Sequence, residues 1–210
     1  MELIKNEWTE VLKAYPYLGV LTENHKHYSS IGVLEIIDDS EIHWGSFNVE
    51  IRIPKNYPKV LPRVYEIGGK LKKDSDWHIN YDRSCCVGTN IEIYQKLKDK
   101  LSIKTWLVTF VIPFFQNQIY RLERGEYLGK VRGHFKEGLI QSYTEHWGFV
   151  KEEQVVDKLK LIVDGRKRHS YEKCFCGSNK RFDKCHQNKI NFEGIPFENY
   201  EEDLRMIINS

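Results

Sequence analysis

The spacing of apolar residues predicts a helix at the start of the chain. The apolar positions recur every three or four residues, as on one face of a helix: Ile4, Trp8, Val11, Leu12 and Tyr15. Pro16 follows them, and proline cannot continue a helix because it lacks the backbone N–H and fixes φ. We therefore predict an amphipathic helix that ends before Pro16.

A second pattern predicts strands. From Trp44 to Pro54, apolar and polar residues alternate, which is the two-residue period of a strand with one solvent-facing side. Shorter apolar runs at Ile31–Ile37 and Arg63–Ile67 lie on either side and are separated from it by turn residues. We predict an antiparallel meander of three or four strands.

The pattern becomes helical again after the strands. Ile91–Leu101 and Lys104–Leu122 read as helices, and the second is apolar on almost every side, as expected of a central helix. A weaker pattern predicts a helix around Leu139–Tyr143. Helical spacing returns between Val155 and Val163, and Asp164-Gly165 should end that helix. Strands followed by helices indicate the α+β class, with an N-terminal helix, an antiparallel meander and C-terminal helices.

Composition narrows the class of protein. The 210 residues carry a formal net charge of +2, which argues against a protein that coats nucleic acid, and 40% are hydrophobic, as expected of a folded chain. Met1–Glu10 lacks the apolar segment of a signal peptide. The most apolar run, Trp106–Phe115, is far shorter than the roughly 20 residues that cross a bilayer. We expect no membrane association.

Five cysteines fall in two tight groups, Cys85/Cys86 and Cys174/Cys176/Cys185. An odd number in such clusters favours thiol or metal chemistry in a reducing compartment over a disulfide framework. We therefore expect a cytoplasmic protein.

The second cysteine group has the spacing of a metal site. Cys174, Cys176, Cys185 and His186 form the pattern CxCx8CH, and two close pairs of such ligands can enclose Zn²⁺ in a tetrahedron. The segment resembles the SEC-C motif, a short zinc-binding tail, over about fifteen residues. The resemblance implies a structural zinc ion, because four protein ligands leave no open position for a catalytic water. The alternative is a set of buried cysteines without metal.

Basic residues surround this segment: Lys173, Lys180, Arg181 and Lys184. Three thiolates, a neutral imidazole and Zn²⁺ together carry a negative charge, which these side chains would balance. Contact with nucleic acid is the second interpretation, and charge balance is favoured over it.

The first cysteine group lies in a polar stretch, His78–Gly88. Asn80 carries an uncharged amide that can donate a hydrogen bond to a developing oxyanion, and a thiol nucleophile follows a few residues later. This combination places a nucleophile and a partner for an oxyanion in one irregular loop. Of the two neighbours, Cys85 suits a buried position, since an unmodified cysteine behaves as a small hydrophobe.

The chain resembles the ubiquitin-conjugating enzymes and their bacterial relatives over roughly residues 1–125. The order of helix, meander, proline motif, histidine–asparagine motif, cysteine and buried helix is that of the family. The matching segments are Tyr57-Pro58 and Pro62, which fit YPxxPP with Leu61 replacing one proline, and His78 and Asn80, which fit HPN with Ile79 replacing its proline.

The resemblance implies a role for each residue of the thiol site. SCCVG aligns with the family's cysteine segment so that Cys86 takes the catalytic position, while Asn80 would stabilise the oxyanion and His78 would organise the loop. It also implies two domains, a ubiquitin-conjugating-like domain over residues 1–150 and a helix with the zinc-binding tail over 151–210.

The resemblance extends to conjugating-like proteins of bacterial CBASS antiphage operons. These are thought to join the C-terminus of a cyclic-oligonucleotide synthase resembling cGAS to another molecule, which here implies a lysine-bearing target. The chain contains no P-loop or Gly-rich nucleotide fingerprint, so a separate activating enzyme or an activated donor is required.

Two other functions stay open. The chain is alternatively an inactive docking module of the same fold, whose basic zinc tail binds a partner or nucleic acid. A Cys/His hydrolase would need a base such as His134 or His146, which no motif positions. A zinc deaminase is excluded, because position 80 is Asn and the required CxxC pair does not occur.

Overall fold

The computed structural model describes residues 2–38, 40–129, 132–167, 169–174, 178–185, 187 and 194–209. Within these ranges the chain forms α-helices and one antiparallel sheet, so the predicted α+β class, with its N-terminal helix, meander and C-terminal helices, is confirmed. In chain order the elements are α1 (Glu2–Ala14), β1 (Thr22–Glu23), β2 (His27–Ile37), β3 (His43–Pro54), β4 (Arg63–Glu66), α2 (Asn90–Leu97), α3 (Ile103–Trp106), α4 (Ile112–Arg124), α5 (Phe135–Trp147), α6 (Glu152–Lys167) and α7 (Phe197–Ile208).

The sheet is a meander in the order β1-β2-β3-β4, with every neighbouring pair antiparallel. The alternation predicted for β3 is confirmed, since Phe47, Val49 and Ile51 are buried while the polar residues between them are not. β2 begins at His27, four residues before the predicted run. One face of the sheet therefore forms part of the core.

A continuous helical segment covers this inner face. It consists of α3, a π-helical turn at Leu107–Val111, and α4. The Phe115 ring packs against the Phe47 ring of β3 with centroids 4.5 Å apart. Gly125, at φ 81°, ends the segment in a left-handed conformation that glycine adopts without steric cost. The predicted central helix is confirmed.

Contacts group the chain into two compact units. The first comprises Met1–Thr89 with Lys96–Val131, and the second comprises Asn90–Gln95 with Arg132–Ser210. The division into residues 1–150 and 151–210, which follows from the family resemblance, stays a prediction. No helix in the described ranges is long and apolar enough to cross a membrane.

The second unit contains α5, α6 and α7. A buried hydrogen bond, in which Tyr143 Oη donates to Asp203 Oδ2 over 2.6 Å, joins α5 to α7. The helix break predicted at Asp164-Gly165 is wrong, because α6 continues to Lys167. A glycine inside a helix costs only about 1 kcal/mol relative to alanine. The buried face of α6 outweighs that cost; its buried apolar residues include Val155, Leu159, Ile162 and Val163.

Candidate functional site

The predicted residues His78, Asn80 and Cys86 lie together in one tight hairpin of the first unit. The backbone N–H of Cys86 donates to the His78 carbonyl over 2.7 Å, and the backbone N–H of Asn80 donates to the Ser84 carbonyl over 2.8 Å. Between these two hydrogen bonds, Ile79 pairs with Cys85 as an antiparallel bridge. The backbone thus places the histidine–asparagine segment directly opposite the cysteine segment.

The turn of this hairpin explains why so short a sequence folds back on itself. The Arg83 amide donates to the Asn80 carbonyl over 2.8 Å, and Arg83 itself has φ 69°. A turn followed by a left-handed residue is a common three-residue hairpin connection. Asp82 supports it, because its Oδ1 accepts from the Ser84 amide over 3.0 Å.

The hairpin has a buried face and a polar face. Ile79 and Cys85, which are opposite each other, are 7% and 5% exposed. Successive residues of a strand point to opposite faces, so Asn80, Ser84 and Cys86 belong to the other side. Ser84 is buried, Asn80 is half-buried and Cys86 is exposed. The alternation therefore presents one of the two neighbouring thiols to solvent.

The two cysteines differ in what they can do chemically. Burial raises the pKa of the Cys85 thiol to about 12, so at neutral pH it is protonated and shielded. Cys86, by contrast, is exposed to solvent. The geometry favours Cys86 over Cys85 as a nucleophile.

His78 ends a short 3₁₀ helix, Ser75–Trp77, in a left-handed conformation with φ 52°. Asp74 caps this helix, with Oδ1 accepting from the Trp77 amide over 3.1 Å. The His78 ring meets the Tyr127 ring edge-on at 5.3 Å. Together with its carbonyl bond to Cys86, these contacts suit a residue that organises the loop.

Side chains from α4 and the residues after it hold the same loop. Gln118 Nε2, almost fully buried, donates to the Trp77 carbonyl over 3.1 Å. The Tyr127 hydroxyl donates to the Asp76 carbonyl over 3.0 Å, and the Arg121 guanidinium donates to the same carbonyl. Arg121 also lies over the Trp77 ring at 4.2 Å. The loop before the hairpin is thus fixed to the core helix.

A chain of hydrogen bonds runs from the Asn80 amide to the sheet. Asn80 Nδ2 donates to Ser84 Oγ over 3.0 Å, and Ser84 Oγ donates to Asp82 Oδ1 over 2.6 Å. Asp82 Oδ2 accepts from the Arg63 guanidinium at the start of β4. Burial opposes ionisation of Asp82, but the hydrogen bonds from Ser84 and the charge of Arg63 lower its pKa below the ordinary value.

Sequence reasoning did not identify Arg63, Asp82 or Ser84 as functional candidates. The Asp-x-Ser spacing is the local signal of an aspartate that accepts from the backbone two residues on. Arg63 lies 19 residues from Asp82 and has no such signal.

The structure describes two of the four predicted zinc ligands, Cys174 and Cys185, whereas Cys176 and His186 lie outside the described residues. Cys174 is buried, and its amide donates to the Lys180 carbonyl over 2.7 Å, next to a bridge between Lys173 and Arg181. Among the described residues, no group of three or more His, Cys, Asp or Glu side chains could hold a metal ion. The zinc site stays a prediction.

His134 and His146, the bases that a hydrolase would require, belong to the second unit. No protein-family model matches the chain, and neither a curated protein nor a solved structure is significantly similar to it. Its function must therefore be inferred from the residues and their geometry.

Proposed function

We propose that this protein is a ubiquitin-conjugating-like carrier that accepts a protein C-terminus as a thioester on Cys86 and transfers it to an amine. The observation that carries the proposal is the division of the hairpin into two faces. Cys86 is exposed on the same face of the hairpin as Asn80, away from the buried Ile79–Cys85 pair. A domain that only binds partners does not require an exposed thiol next to the buried Cys85.

The arrangement of the first unit supports the same fold family. The first unit contains a helix, a four-stranded meander, the hairpin and a core helix, in the order along the chain that the family uses. The Tyr57-Pro58 segment lies between β3 and β4, where the family has its proline motif. These features support the proposal of a ubiquitin-conjugating-like domain.

The chemistry needs two acyl transfers. The Cys86 sulfur attacks an activated carbonyl, forms the thioester and releases the donor's leaving group; an amine then attacks that thioester and releases the Cys86 thiol. Asn80 donates to the oxyanion of the second step, and His78 holds the loop. Either a separate activating enzyme or an already activated donor supplies the acyl group, because the sequence has no nucleotide-binding fingerprint.

For the biological substrates, the family resemblance favours antiphage defence of the CBASS type in the cytoplasm. The donor would be the C-terminus of a synthase resembling cGAS, and the acceptor would be a lysine of another protein. Neither a membrane nor a nucleic acid is required as a partner.

The test is adduct formation with purified donor, activating enzyme and ATP, followed by gels without reducing agent. We expect a band that dithiothreitol removes, that Cys86→Ala abolishes and that the matched Cys85→Ala variant retains. Cys86→Ser should give an oxygen ester that resists dithiothreitol and is cleaved by alkali. An adduct on neither cysteine would instead support the inactive docking module.

The tail is proposed to hold one structural Zn²⁺ through Cys174, Cys176, Cys185 and His186. The hairpin that pairs Lys173 with Arg181 supports this, because it folds the segment of Cys174 back along the segment that leads to Cys185. Metal analysis should find about one zinc per chain, lost in Cys174→Ser, with loss of order in the tail. A tail that is folded and free of metal would overturn this part.

A further inference from the structure

We propose that Ser84, Asp82 and Arg63 are positioning residues that fix the direction in which the Asn80 amide points. This inference rests on the proposed function, since it assigns these residues to the amine-transfer step on Cys86. The family motifs include His78, Asn80 and Cys86, but they assign no role to Ser84, Asp82 or Arg63.

The directions of the hydrogen bonds follow from the chemistry of the groups. An ionised carboxylate can only accept, so the Ser84 hydroxyl must donate its single hydrogen to Asp82. The Ser84 oxygen is then the acceptor for Asn80, and the NH₂ end of the amide must face it. An ionised Asp82 therefore determines which end of the Asn80 amide lies on that side.

The chain of bonds is anchored in the sheet. Arg63 begins β4 and pairs with Arg52 of β3, so its backbone is held by the ladder. The hairpin joins β4 next to it, where the Cys85 amide donates to the Val64 carbonyl over 2.8 Å. Ser84 is only 2% exposed, which limits competition from water. Hydrogen bonds and an ion pair thus connect the Asn80 side chain to the first residue of β4.

A fixed amide matters only when an oxyanion forms. The neutral amine of lysine attacks the thioester carbon, a C–N bond forms and the carbonyl electron pair moves onto oxygen. Collapse of this intermediate breaks the C–S bond, and the amine proton leaves with the Cys86 sulfur as a thiol or is lost to solvent. The second N–H of Asn80 is available to the oxyanion while the first is held by Ser84.

The experiment loads the full chain with a peptide α-thioester of mercaptoethanesulfonate, which requires no activating enzyme, and then adds lysine. Loading of Cys86 and its discharge to lysine are followed separately by intact-mass spectrometry. Asn80→Ala should slow discharge about 100-fold or more, as for loss of one oxyanion donor. Ser84→Ala should slow it about 10-fold through misorientation, with loading unchanged.

The double variant Asn80→Ala/Ser84→Ala should discharge no more slowly than Asn80→Ala alone, because Ser84 acts only through Asn80. Asp82→Ala, at an exposed site, is expected to reproduce part of the Ser84→Ala defect. Ser30→Ala is the matched control: Ser30 is also buried and donates to the Gly19 carbonyl over 2.7 Å, so it should alter stability without altering discharge.

Normal loading with equal discharge in wild type, Ser84→Ala and Asp82→Ala would overturn the positioning role and leave the carrier function intact. Failure of wild-type Cys86 to load would overturn the carrier function and the positioning role together. A measurement without catalysis is the side-chain amide NMR signal of Asn80, assigned by its loss in Asn80→Ala. Its hydrogen exchange should accelerate at least several-fold in Ser84→Ala; an unchanged rate would contradict the proposal.

Discussion

The neighbouring thiols of Cys85 and Cys86 offer the sharpest test of the hairpin geometry. We expect iodoacetamide to alkylate Cys86 in the native protein and to leave Cys85 unmodified. The reason is physical: the alternation of the hairpin buries one thiol and exposes the other.

The size of the difference follows from the pKa of Cys85. Iodoacetamide reacts with thiolate, and a thiol of pKa 9.0 is about 10% thiolate at pH 8, whereas a thiol of pKa about 12 is about 0.01% thiolate. Ionisation alone should therefore slow Cys85 about 1000-fold relative to an ordinary thiol. Its 5% exposure slows the reagent further.

The assay is a time course of labelling at pH 8, followed by trypsin digestion. Both thiols fall in the peptide of residues 84–96, and fragment ions between them assign the label. Cys85→Ser and Cys86→Ser serve as a matched pair. In Cys86→Ser, this peptide should be labelled only after denaturation, whereas in Cys85→Ser it should be labelled in the native protein.

Labelling of Cys85 at the rate of Cys86 in the native state would refute the burial of Cys85 and the two-faced hairpin. The choice of Cys86 as nucleophile would then lose its structural support.

Two further predictions concern stability. Burial raises the pKa of Asp203 to about 7 from 3.8, so between those pH values the folded state holds a proton that the unfolded state has lost. The contribution of Asp203 to the free energy of unfolding should therefore fall as pH rises from about 4 to 7, by at most about 4 kcal/mol. Hydrogen exchange of α7 should report this fall, and Asp203→Asn should abolish it; an unchanged slope would contradict the assignment. Phe115→Ala should lower the free energy of unfolding by about 3–5 kcal/mol in urea titrations, because the ring is fully buried against Phe47; a loss below about 1 kcal/mol would contradict that packing.

An element was predictable from the sequence where the spacing of its apolar residues matches the spacing of its buried residues. β3 was predicted almost to its ends because its alternation matches its burial. The start of β2 was missed, since Tyr28, Ser29 and Ser30 are all buried and interrupt the two-residue period. α7 was also missed, although Tyr200, Leu204 and Ile207 have helical spacing.

The same distinction applies to the site. Asn80 and Cys86 were identified because a motif joins them within a few residues, and the structure brings their segments together. The support from Arg63 was not predictable, because strand pairing and a distant side chain create it. A sequence motif identifies the groups that react. The residues that orient those groups lie elsewhere in the chain, and only folding brings them together.

The π-helical turn at Leu107–Val111 should allow the core helix to lose one residue at this point, which its α-helical turns do not allow. A wide turn accommodates one more residue than an α-helical turn while the segments on both sides keep their orientation. Elsewhere in an α-helix, deleting one residue rotates everything after it by about 100°. Removal of the exposed Val108 should therefore shorten the helix while the Trp106 and Phe115 side chains keep their orientation toward the core. Natural variation in the length of this helix is expected to concentrate at this turn.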